Sequence, residues 1–364
     1  MLSVAYSYKC RWNRWNYYAI ISFTIIIGFR ACGIDYFAYK DLFDYLINID
    51  AGLTSKAYYM AQIYKQFPVH FEWAYLILIK LIKLFTTSSI PFFTSIAFVQ
   101  IFCFDSIIRK YESRQRMFLV FTFFTTLIFV EVFNGMRQFA AYFLFLCLVP
   151  YIETRNWRKF FLFGALLYFV HSSTLFLLPL YFFIHKDFLK GKMSQLMIYF
   201  LVVLLSAVFI DQLKLILNWL FAFLDGSAYV RSQYLNVDEQ IKGTSASMLV
   251  YIFRFSTIIF MVLNSKKFKE AYGAKGVILY NMTFIGYLLL ELSFNMGVYR
   301  LNYYFYYNVF FVMGCMLFRC LCGSDKKPAY QKGYAVFLMA LYVLWFVNSV
   351  IKGAGGCAPY VLAF

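Results

Sequence analysis

Residues 109–133, RKYESRQRMFLVFTFFTTLIFVEVF, contain the pattern that decides the fold. The first eight positions are rich in arginine and lysine, and in the apolar run that follows Glu131 is the one charged side chain. A run of this kind approaches the roughly 20 residues that a helix needs to cross a bilayer. Basic segments beside such runs are typical of cytoplasmic loops, so this stretch predicts a membrane span with a cytoplasmic N-terminal end.

The composition extends this pattern to the whole chain. Of its 364 residues, 63% are hydrophobic and only 14% are charged, and the mean hydropathy is +0.67. A soluble globular domain has about 25% charged residues. The composition therefore excludes a secreted enzyme, a cytosolic Rossmann domain and a nucleic-acid-binding module, and it predicts a polytopic α-helical membrane protein.

The net charge of +17 is concentrated in a few hydrophilic stretches. Six of them hold 21 of the 34 basic residues but only five of the 17 acidic ones: 1–16, 109–116, 153–159, 185–192, 264–276 and 319–333. Since lysine and arginine gather on cytoplasmic loops, we predict that all six are cytoplasmic, the N-terminus included. The basic excess then reflects membrane topology and implies no nucleic-acid partner.

The apolar segments predict an all-α transmembrane helical bundle formed as one integral membrane domain over residues 1–364. The regular spans are expected at 16–29, 90–108, 117–133, 138–152, 194–210, 248–263, 277–293, 303–319 and 334–351. With the less regular stretches 73–88 and 160–184, the bundle has about 10–12 membrane segments. Residues 30–72 and 211–247 are predicted to be extracytoplasmic loops that contain amphipathic helices.

Two stretches do not fit as ordinary spans. Basic loops flank residues 160–184 on both sides, so both ends should be cytoplasmic, yet two crossings would have only about eleven residues each. We therefore predict a broken or re-entrant hairpin with its tip near His171, which is possible where non-helical backbone lines a cavity or is buried in protein. Residues 73–88 are predicted not to cross the membrane completely.

This topology brings several polar residues near the outer face: Arg30, Asp35, Glu72, Asn134, Arg137, Gln138, His171, Arg254 and Arg300. The spacing of Asn134, Arg137 and Gln138 predicts that the three share one helical face. Arg300 is expected in a short outer loop before Tyr303 and Tyr304. Ionisable residues within membrane segments are expensive and suggest a functional site.

Three of these residues have structural alternatives. Arg30 could be a flanking anchor whose charge reaches the headgroups. Arg254 could form a structural ion pair with Glu131 or Glu291. His171 could be a packing histidine.

Several arginines on one face indicate an anionic ligand, because the guanidinium contacts phosphate oxygens in a planar, bidentate way and stays charged. Asp35, Glu72 or His171 could accept a proton. This combination fits a lipid-linked diphosphate and a sugar acceptor. The sequence has no P-loop or dinucleotide motif, and its eight cysteines show no metal-ligand spacing, so neither a cofactor nor a metal ion is expected.

Short motifs in this sequence resemble those of the EpsG family of membrane proteins. The segment FRACGIDYFAY at 29–39 resembles the family's Arg-x-x-Gly-x-Asp-Tyr-x-x-Tyr signature, and NGMRQFA at 134–140 is similar to its Asn-x-x-Arg-Gln motif. The segment FVHSS at 169–173 resembles a Phe-x-His-x-Ser element. Glu72 resembles an acidic residue before an apolar run, although the family often has a proline after it and this chain has Trp73. Arg300 and the tyrosines after it resemble a late Arg-x-x-x-Tyr region.

The resemblance implies a Wzy-like polysaccharide polymerase on the outer face of a bacterial inner membrane. Such enzymes transfer a growing glycan from undecaprenyl diphosphate to the next lipid-linked repeat unit. The predicted catalytic residues are Arg137, Asp35, Glu72 and His171. The predicted substrate-binding residues are Arg30, Tyr36, Tyr39, Asn134, Gln138, Arg254, Arg300 and Tyr304. The expected partners are the undecaprenyl-diphosphate-linked oligosaccharide, the lipid bilayer and a chain-length regulator protein.

Two other functions remain open from the sequence. A ligase or acyltransferase could act on the same lipid-linked glycan. A transporter of lipid-linked sugars could line its pathway with the same charges, although transporters of this kind often contain internal repeats and none is visible in this sequence. The sequence leaves open whether the transfer inverts or retains the sugar configuration.

Overall fold

The computed structural model describes residues 13–33, 36–48, 72–209, 212, 248–292, 296–323, 328–353 and 360–361. These residues are largely helical. The α-helices are α1 (Asn13–Gly28), α2 (Tyr36–Asn48), α3 (Trp73–Lys83), α4 (Ile90–Ile108), α5 (Ser113–Thr125), α6 (Ile128–Asn134), α7 (Met136–Leu146), α8 (Val149–Glu153), α9 (Trp157–Tyr168), α10 (Leu180–Phe183), α11 (Lys192–Val208), α12 (Met248–Glu291), α13 (Met296–Tyr306), α14 (Val309–Cys322) and α15 (Ala329–Ile351).

Several of these helices can cross a membrane. Among the described residues, four helical segments are long and apolar enough: Ile90–Ile108, Val250–Glu291, Leu301–Cys322 and Ala329–Ile351. A fifth is obtained if α5 and α6, which are bent by 52° relative to each other, form one broken span. Helices α1 and α11 are apolar but shorter. The prediction of an all-α polytopic membrane bundle is confirmed.

Aromatic side chains form much of the interior of the bundle, together with aliphatic ones. Helix α4 packs against α1 on one side and α7 on the other, and α14 packs against α5. The rings of Phe104 and Phe123 stack with their centroids 4.2 Å apart, and Phe143 and Phe310 surround them. Dispersion and ring-edge contacts of this kind drive helix association in a bilayer, where the hydrophobic effect between helices is absent.

The predicted span 117–133 differs from the structure because the backbone bends within it. The span 117–133 is broken after α5, where Leu127 has a left-handed conformation with φ of 66°. Helix α12 (Met248–Glu291) is one helical stretch that bends at Gly273. The rings of Phe268 and Tyr280 lie 6.4 Å apart across this bend, whereas twelve residues of straight helix would separate them by about 18 Å. The chain therefore reverses at Gly273, and its two arms match the predicted spans 248–263 and 277–293.

The basic stretches meet at one end of the bundle. Three contacts join four of them: Lys275 Nζ donates to the Tyr111 hydroxyl at 2.7 Å, Arg155 Nη1 lies 2.8 Å from His185 Nδ1, and Lys269 Nζ lies 2.5 Å from Asp187 Oδ1. A shared end is what the predicted common membrane face requires. The side of the membrane on which this end lies stays a prediction.

Residues 160–184 form the predicted hairpin. Helix α9 leads away from the basic end, a 3₁₀ helix at Ser172–Leu177 follows the tip, and α10 returns. Arg155, before α9, donates from Nη1 to the Tyr181 carbonyl at 2.8 Å, so the two ends of the hairpin lie together. The rings of Phe160 and Tyr181 are 5.2 Å apart along its stem. The tip lies at His171.

The stretch 73–88 contains only the eleven-residue helix α3. At 1.5 Å per residue this helix is about 16 Å long, roughly half the thickness of the hydrocarbon core, which agrees with the predicted incomplete crossing. In the first predicted outer loop, α2 buries Tyr39, Leu42 and Phe43 and exposes Phe37 and Asp41, as an amphipathic helix does. Apart from Gln212, the second predicted loop, 211–247, lies outside the described residues.

Candidate active site

Glu72 is the centre of a polar cluster between the short helix α3 and the hairpin tip. It immediately precedes α3 in extended conformation, and its side chain makes no capping hydrogen bond to that helix. The α3 backbone is instead tied to the hairpin, because Ala74 N–H donates to the Phe169 carbonyl at 3.1 Å. This contact fixes the buried Glu72 carboxylate beside the tip of the hairpin.

Arg137 reaches the same carboxylate from the start of α7. Its Nη1 donates to Glu72 Oε2 at 2.6 Å, and its Nε donates to the Tyr39 hydroxyl at 2.7 Å. The guanidinium carbon also lies 5.6 Å from the centre of the Tyr39 ring. Arg137 therefore joins α2, α3 and α7 at one point, and only 13% of its side chain is exposed.

The prediction that Asn134, Arg137 and Gln138 share one helical face is wrong. Helix α6 ends at Asn134, Gly135 has non-helical ψ of 48°, and α7 begins at Met136. The spacing of three and four residues therefore crosses a break between two helices. The break allows Arg137 to turn toward Glu72, while Gln138 is buried.

Two residues that the sequence did not single out hold the first turn of α7 in place. Gln100 Nε2 donates to the Met136 carbonyl at 2.9 Å, and the Tyr75 hydroxyl donates to the Arg137 carbonyl at 3.3 Å. Gln100 could have been found as a polar amide in the middle of an apolar span. Tyr75 gave no such signal, because it is one of 32 tyrosines.

His171 completes the cluster from the hairpin tip. Its Nδ1 lies 2.6 Å from Glu72 Oε1, and the Ser172 backbone N–H donates to the same oxygen at 3.3 Å. An ionised carboxylate can only accept, so Nδ1 is the donor in this pair. In the neutral imidazole the proton acceptor is then Nε2. Glu72 therefore sets the tautomer of His171.

The electrostatics of Glu72 follow from these contacts. The residue lies outside the helices that can span the membrane. Burial alone would raise the pKa of the Glu72 carboxyl, but the hydrogen bond with His171 and the charge of Arg137 outweigh this effect and lower the pKa from 4.5 to about 2. Glu72 is therefore ionised at neutral pH and is a weak proton acceptor.

Tyr304 lies on the other side of the hairpin tip. Its hydroxyl is 3.0 Å from Ser173 Oγ, and its side chain is fully buried. Helix α13 thus contacts the tip two residues after His171. The structure brings together five of the predicted site residues: Tyr39, Glu72, Arg137, His171 and Tyr304.

Arg30 and Tyr36 lie in the packed core beside this cluster. The Arg30 side chain is only 1% exposed. Its Nη2 donates to the Phe133 carbonyl at 2.7 Å, and its guanidinium lies 4.9 Å from the Phe133 ring centre. The Tyr36 ring stacks on Phe93 with the centroids 4.9 Å apart. These contacts position α2 and the end of α6 next to Arg137.

Asn134 contacts the turn that follows α1. Gly33 has a φ of 106°, and a Cβ atom there would lie 3.3 Å from Asn134 Oδ1 and 3.1 Å from the Phe133 carbonyl. Glycine adopts this backbone conformation without strain. The two sequence motifs at 29–39 and 134–140 are therefore in direct contact.

Arg254 belongs to a separate polar group. Its Nη1 lies 3.9 Å from Glu291 Oε1, and the same oxygen accepts a hydrogen bond from the Tyr199 hydroxyl at 2.9 Å. Of the two acidic partners considered from the sequence, the structure pairs Arg254 with Glu291. Glu131 instead lies 3.4 Å from the Tyr303 hydroxyl.

Asp35 lies outside the described residues, and so does the side chain of Arg300. The backbone of Arg300 is helical within α13, so the prediction that it lies in a loop is wrong. Across the part of the chain that the structure describes, no three His, Cys, Asp or Glu side chains are grouped closely enough to hold a metal ion.

The arrangement provides an oriented imidazole, a carboxylate that fixes it and a permanent positive charge within one cluster. A carboxylate–imidazole pair is a common form of general base, and an adjacent arginine stabilises negative charge that develops on a leaving group.

The comparisons with known proteins agree with the motifs. The family model described as the EpsG family matches residues 14–362, which is nearly the whole chain. No curated protein and no solved structure matches significantly.

Proposed function

The chain belongs to the EpsG family, a Wzy-type polymerase-like family of membrane proteins, and from this premise we propose that it polymerises lipid-linked oligosaccharide repeat units. The donor is a glycan on undecaprenyl diphosphate, and the acceptor is the next lipid-linked unit. The reaction takes place at the extracytoplasmic face of the bacterial inner membrane, with the basic end of the bundle and the N-terminus in the cytoplasm.

The transfer forms one glycosidic bond and breaks the bond between the donor sugar and its diphosphate. A hydroxyl oxygen of the acceptor sugar attacks the anomeric carbon of the donor glycan. The bond between that carbon and the diphosphate oxygen breaks, and undecaprenyl diphosphate leaves with the electron pair. The hydroxyl proton passes to a base of the protein. The energy comes from the sugar–diphosphate bond, so the reaction needs no nucleotide.

We assign the base to His171. Its Nδ1 is held by Glu72 at 2.6 Å, which leaves Nε2 as the proton acceptor. Glu72 is the weaker candidate, because its two oxygens already accept hydrogen bonds from Arg137 and from the hairpin tip. Its pKa of about 2 further disfavours proton abstraction near neutral pH. Glu72 therefore orients His171 and stabilises the imidazolium that forms.

Arg137 is proposed to bind the diphosphate. Its guanidinium is charged at every working pH and presents donors in the plane that phosphate oxygens need. It contacts the same carboxylate as His171, so one cluster would supply both the base and the positive charge that stabilises the leaving diphosphate. A partly exposed cation at this position can exchange hydrogen bonds with an arriving diphosphate. The single observation that carries the proposal is this three-residue cluster at the tip of the hairpin.

The proposal can be tested with protein reconstituted in liposomes and supplied with the lipid-linked repeat unit. The unaltered protein should release undecaprenyl diphosphate and form longer lipid-linked glycans. Arg137→Ala should abolish both products, and Arg137→Lys should restore little activity because lysine lacks the planar fork. Arg114→Ala removes an exposed arginine from the opposite end of the bundle and should leave the rate unchanged.

Other outcomes identify other functions. Transfer of completed glycan to a different acceptor, without chain growth, would indicate a ligase. Movement of the unit across the bilayer without release of the carrier would indicate a transporter. Normal chain growth in Arg137→Ala would remove Arg137 from the mechanism. A chain-length regulator protein is a proposed partner, and its addition to the liposomes should narrow the product length distribution.

A further inference from the structure

A small cavity lies at the basic end of the bundle, away from the candidate active site. It has a volume of about 230 Å³ and is bounded by α4, α7, α8, α12 and α14. Its lining includes the apolar side chains Leu146 and Phe311 and the three basic side chains Arg109, Lys110 and Lys275. No acidic residue lines it. The cavity therefore combines an apolar wall with a net charge of three cations.

The cavity is distinct from the Glu72 cluster. Leu146 follows Arg137 by nine residues on α7, a distance of about 14 Å along the helix. The lining residue Asn308 lies one helical turn beyond Tyr304 and donates from Nδ2 to the Tyr304 carbonyl at 2.8 Å. The bundle thus has two polar sites at different depths, the Glu72 cluster and this cavity.

Lys275 is held in the wall of the cavity by neutral partners. Its Nζ donates to the Tyr111 hydroxyl at 2.7 Å and lies 4.9 Å from the centre of the Phe311 ring. Arg109 is likewise paired with a hydroxyl, since its Nη2 donates to Ser106 Oγ at 3.4 Å. Among the described residues, no carboxylate lies within 4.0 Å of Arg109, Lys110 or Lys275. Within the described part of the chain, the three charges therefore form no direct ion pair.

Membrane topology alone does not explain this arrangement. The preference for basic cytoplasmic loops requires only exposed charge, as at Lys266 and Lys267 in the same segment as Lys275. Lys275 is instead partly buried, and its charge is repelled by Lys110 and attracted by Glu153, which does not line the cavity. Grouping like charges around a cavity costs free energy, and a bound anion would recover it.

We propose that this cavity binds a phosphate group, carried by a lipid headgroup or present as free phosphate. Three cationic donors match the oxygens of one phosphate, and basic pockets between membrane helices commonly bind anionic headgroups. The apolar wall formed by Leu146 and Phe311 suits the part of a lipid next to its phosphate. The volume is below the 300–1,000 Å³ typical of larger ligands, which favours a headgroup-sized ligand. This inference is independent of the proposed polymerase activity.

The test uses the purified full-length protein with two probes. One is inorganic phosphate, measured by its effect on thermal unfolding in detergent. The other is phosphatidylglycerol, measured by native mass spectrometry after exchange from vesicles that contain phosphatidylglycerol and phosphatidylcholine. Lys275→Gln should weaken binding about tenfold, the loss expected for one charged hydrogen bond. Lys110→Gln, whose side chain is exposed, should weaken binding without disturbing the fold.

Lys267→Gln is the matched control, because it removes one exposed charge from the same segment but does not line the cavity. Retention of phosphatidylglycerol without any effect of phosphate identifies a lipid headgroup, and a phosphate effect identifies free phosphate. Equal binding by the unaltered protein and by Lys110→Gln and Lys275→Gln would overturn the proposal. Absence of binding by the unaltered protein would overturn it as well.

Discussion

At the Glu72 carboxylate, three segments that are distant in the sequence meet. Arg137 contacts one oxygen and His171 the other, each at 2.6 Å. Replacing Arg137 would leave the buried Glu72 carboxylate without its arginine partner. Replacing Glu72 would leave the His171 imidazole without the group that orients it. The carboxylate therefore has two tasks, balancing the arginine and fixing the histidine tautomer, which explains why it is buried although it is charged.

Substitution of the proposed base tests this division of roles. His171→Gln should lower the polymerisation rate by about 10²–10⁴-fold, the usual contribution of a general base. Glu72→Gln should lower it by a similar factor, because a neutral amide no longer stabilises the imidazolium. Steady-state rates in liposomes are the measurement. His185→Gln changes a histidine that contacts Arg155 at the basic end and should not lower the rate, so a loss there equal to that of His171→Gln would contradict the assignment.

The pKa of Glu72 predicts a specific acid dependence of stability. A carboxyl whose pKa falls from 4.5 to about 2 on folding stabilises the folded state fully above pH 4.5 and loses this effect as the pH falls toward 2. The difference in melting temperature between the unaltered protein and Glu72→Gln should therefore be constant from pH 7 to 5 and shrink below that range. Thermal unfolding in detergent at several pH values measures it, and a difference that already shrinks between pH 7 and 6 would exclude the lowered pKa.

At the level of single residues, the sequence identified the residues of the candidate site but not the contacts between them. Arg137, Glu72 and His171 were identified from charge in apolar surroundings and from short motifs. Their mutual contacts were not predictable, because residues 72, 137 and 171 lie on separate segments whose approach depends on α3 and the hairpin. Arg30 was predicted from its charge to bind substrate; the structure has its side chain buried against Phe133 and backbone carbonyls, and its binding role stays a prediction.

The elements that carry the site are short or broken helices. Helix α3 has eleven residues, a single residue separates α6 from α7, and a 3₁₀ helix follows His171. Each break brings a side chain or a backbone N–H group toward Glu72. Of the long helices, α4 packs against both α7 and α3. Irregular backbone of this kind is tolerated at membrane depth where protein surrounds it.

Because α1 packs closely on α4, adding one methyl group at Gly28 should destabilise the folded protein. A Cβ at Gly28 would lie 2.7 Å from the Thr94 Cα and closer still to its side chain, so Gly28→Ala must push the two helices apart. We expect a loss of about 1–3 kcal/mol in the free energy of unfolding, as for other overpacked sites. Chemical or thermal unfolding in detergent measures this loss.

Gly333→Ala is the matched control within α15, since nothing lies within 4 Å of a Cβ there. It should leave stability unchanged or raise it by up to about 1 kcal/mol through helix propensity. Equal stability of the two variants would show that α1 and α4 do not approach each other as described.

Hydropathy predicted where helices lie but not where they bend. The span 90–108 coincides with α4, and 334–351 lies within α15. The bend at Leu127 has no sequence signal, because leucine rarely adopts positive φ. The break at Gly135 has a weak signal, the glycine itself, which the spacing of Asn134 and Arg137 masked. The hairpin was predictable because charge on both flanks excluded a single crossing.

The whole molecule has a basic end and an opposite end that carries the candidate site. Labelling of single introduced cysteines tests this arrangement, in a background where the exposed Cys322 and the terminal Cys10 and Cys357 are replaced by serine. Lys267→Cys and Arg158→Cys, from two basic stretches, should react with a membrane-impermeant maleimide only after the cells are opened. Ser88→Cys, in the exposed turn before α4, should react in intact cells. Reaction of all three from one side would contradict the two-ended arrangement.

The measurement that tests the central claim most directly is the size distribution of lipid-linked glycan in cells that lack this protein. If the protein is the polymerase, single repeat units should accumulate on the outer leaflet. A plasmid encoding the unaltered protein should restore long chains, and one encoding the His171→Gln variant should not. Long chains that remain on the carrier, or units trapped on the inner leaflet, would contradict the polymerase function and indicate a ligase or a transporter instead.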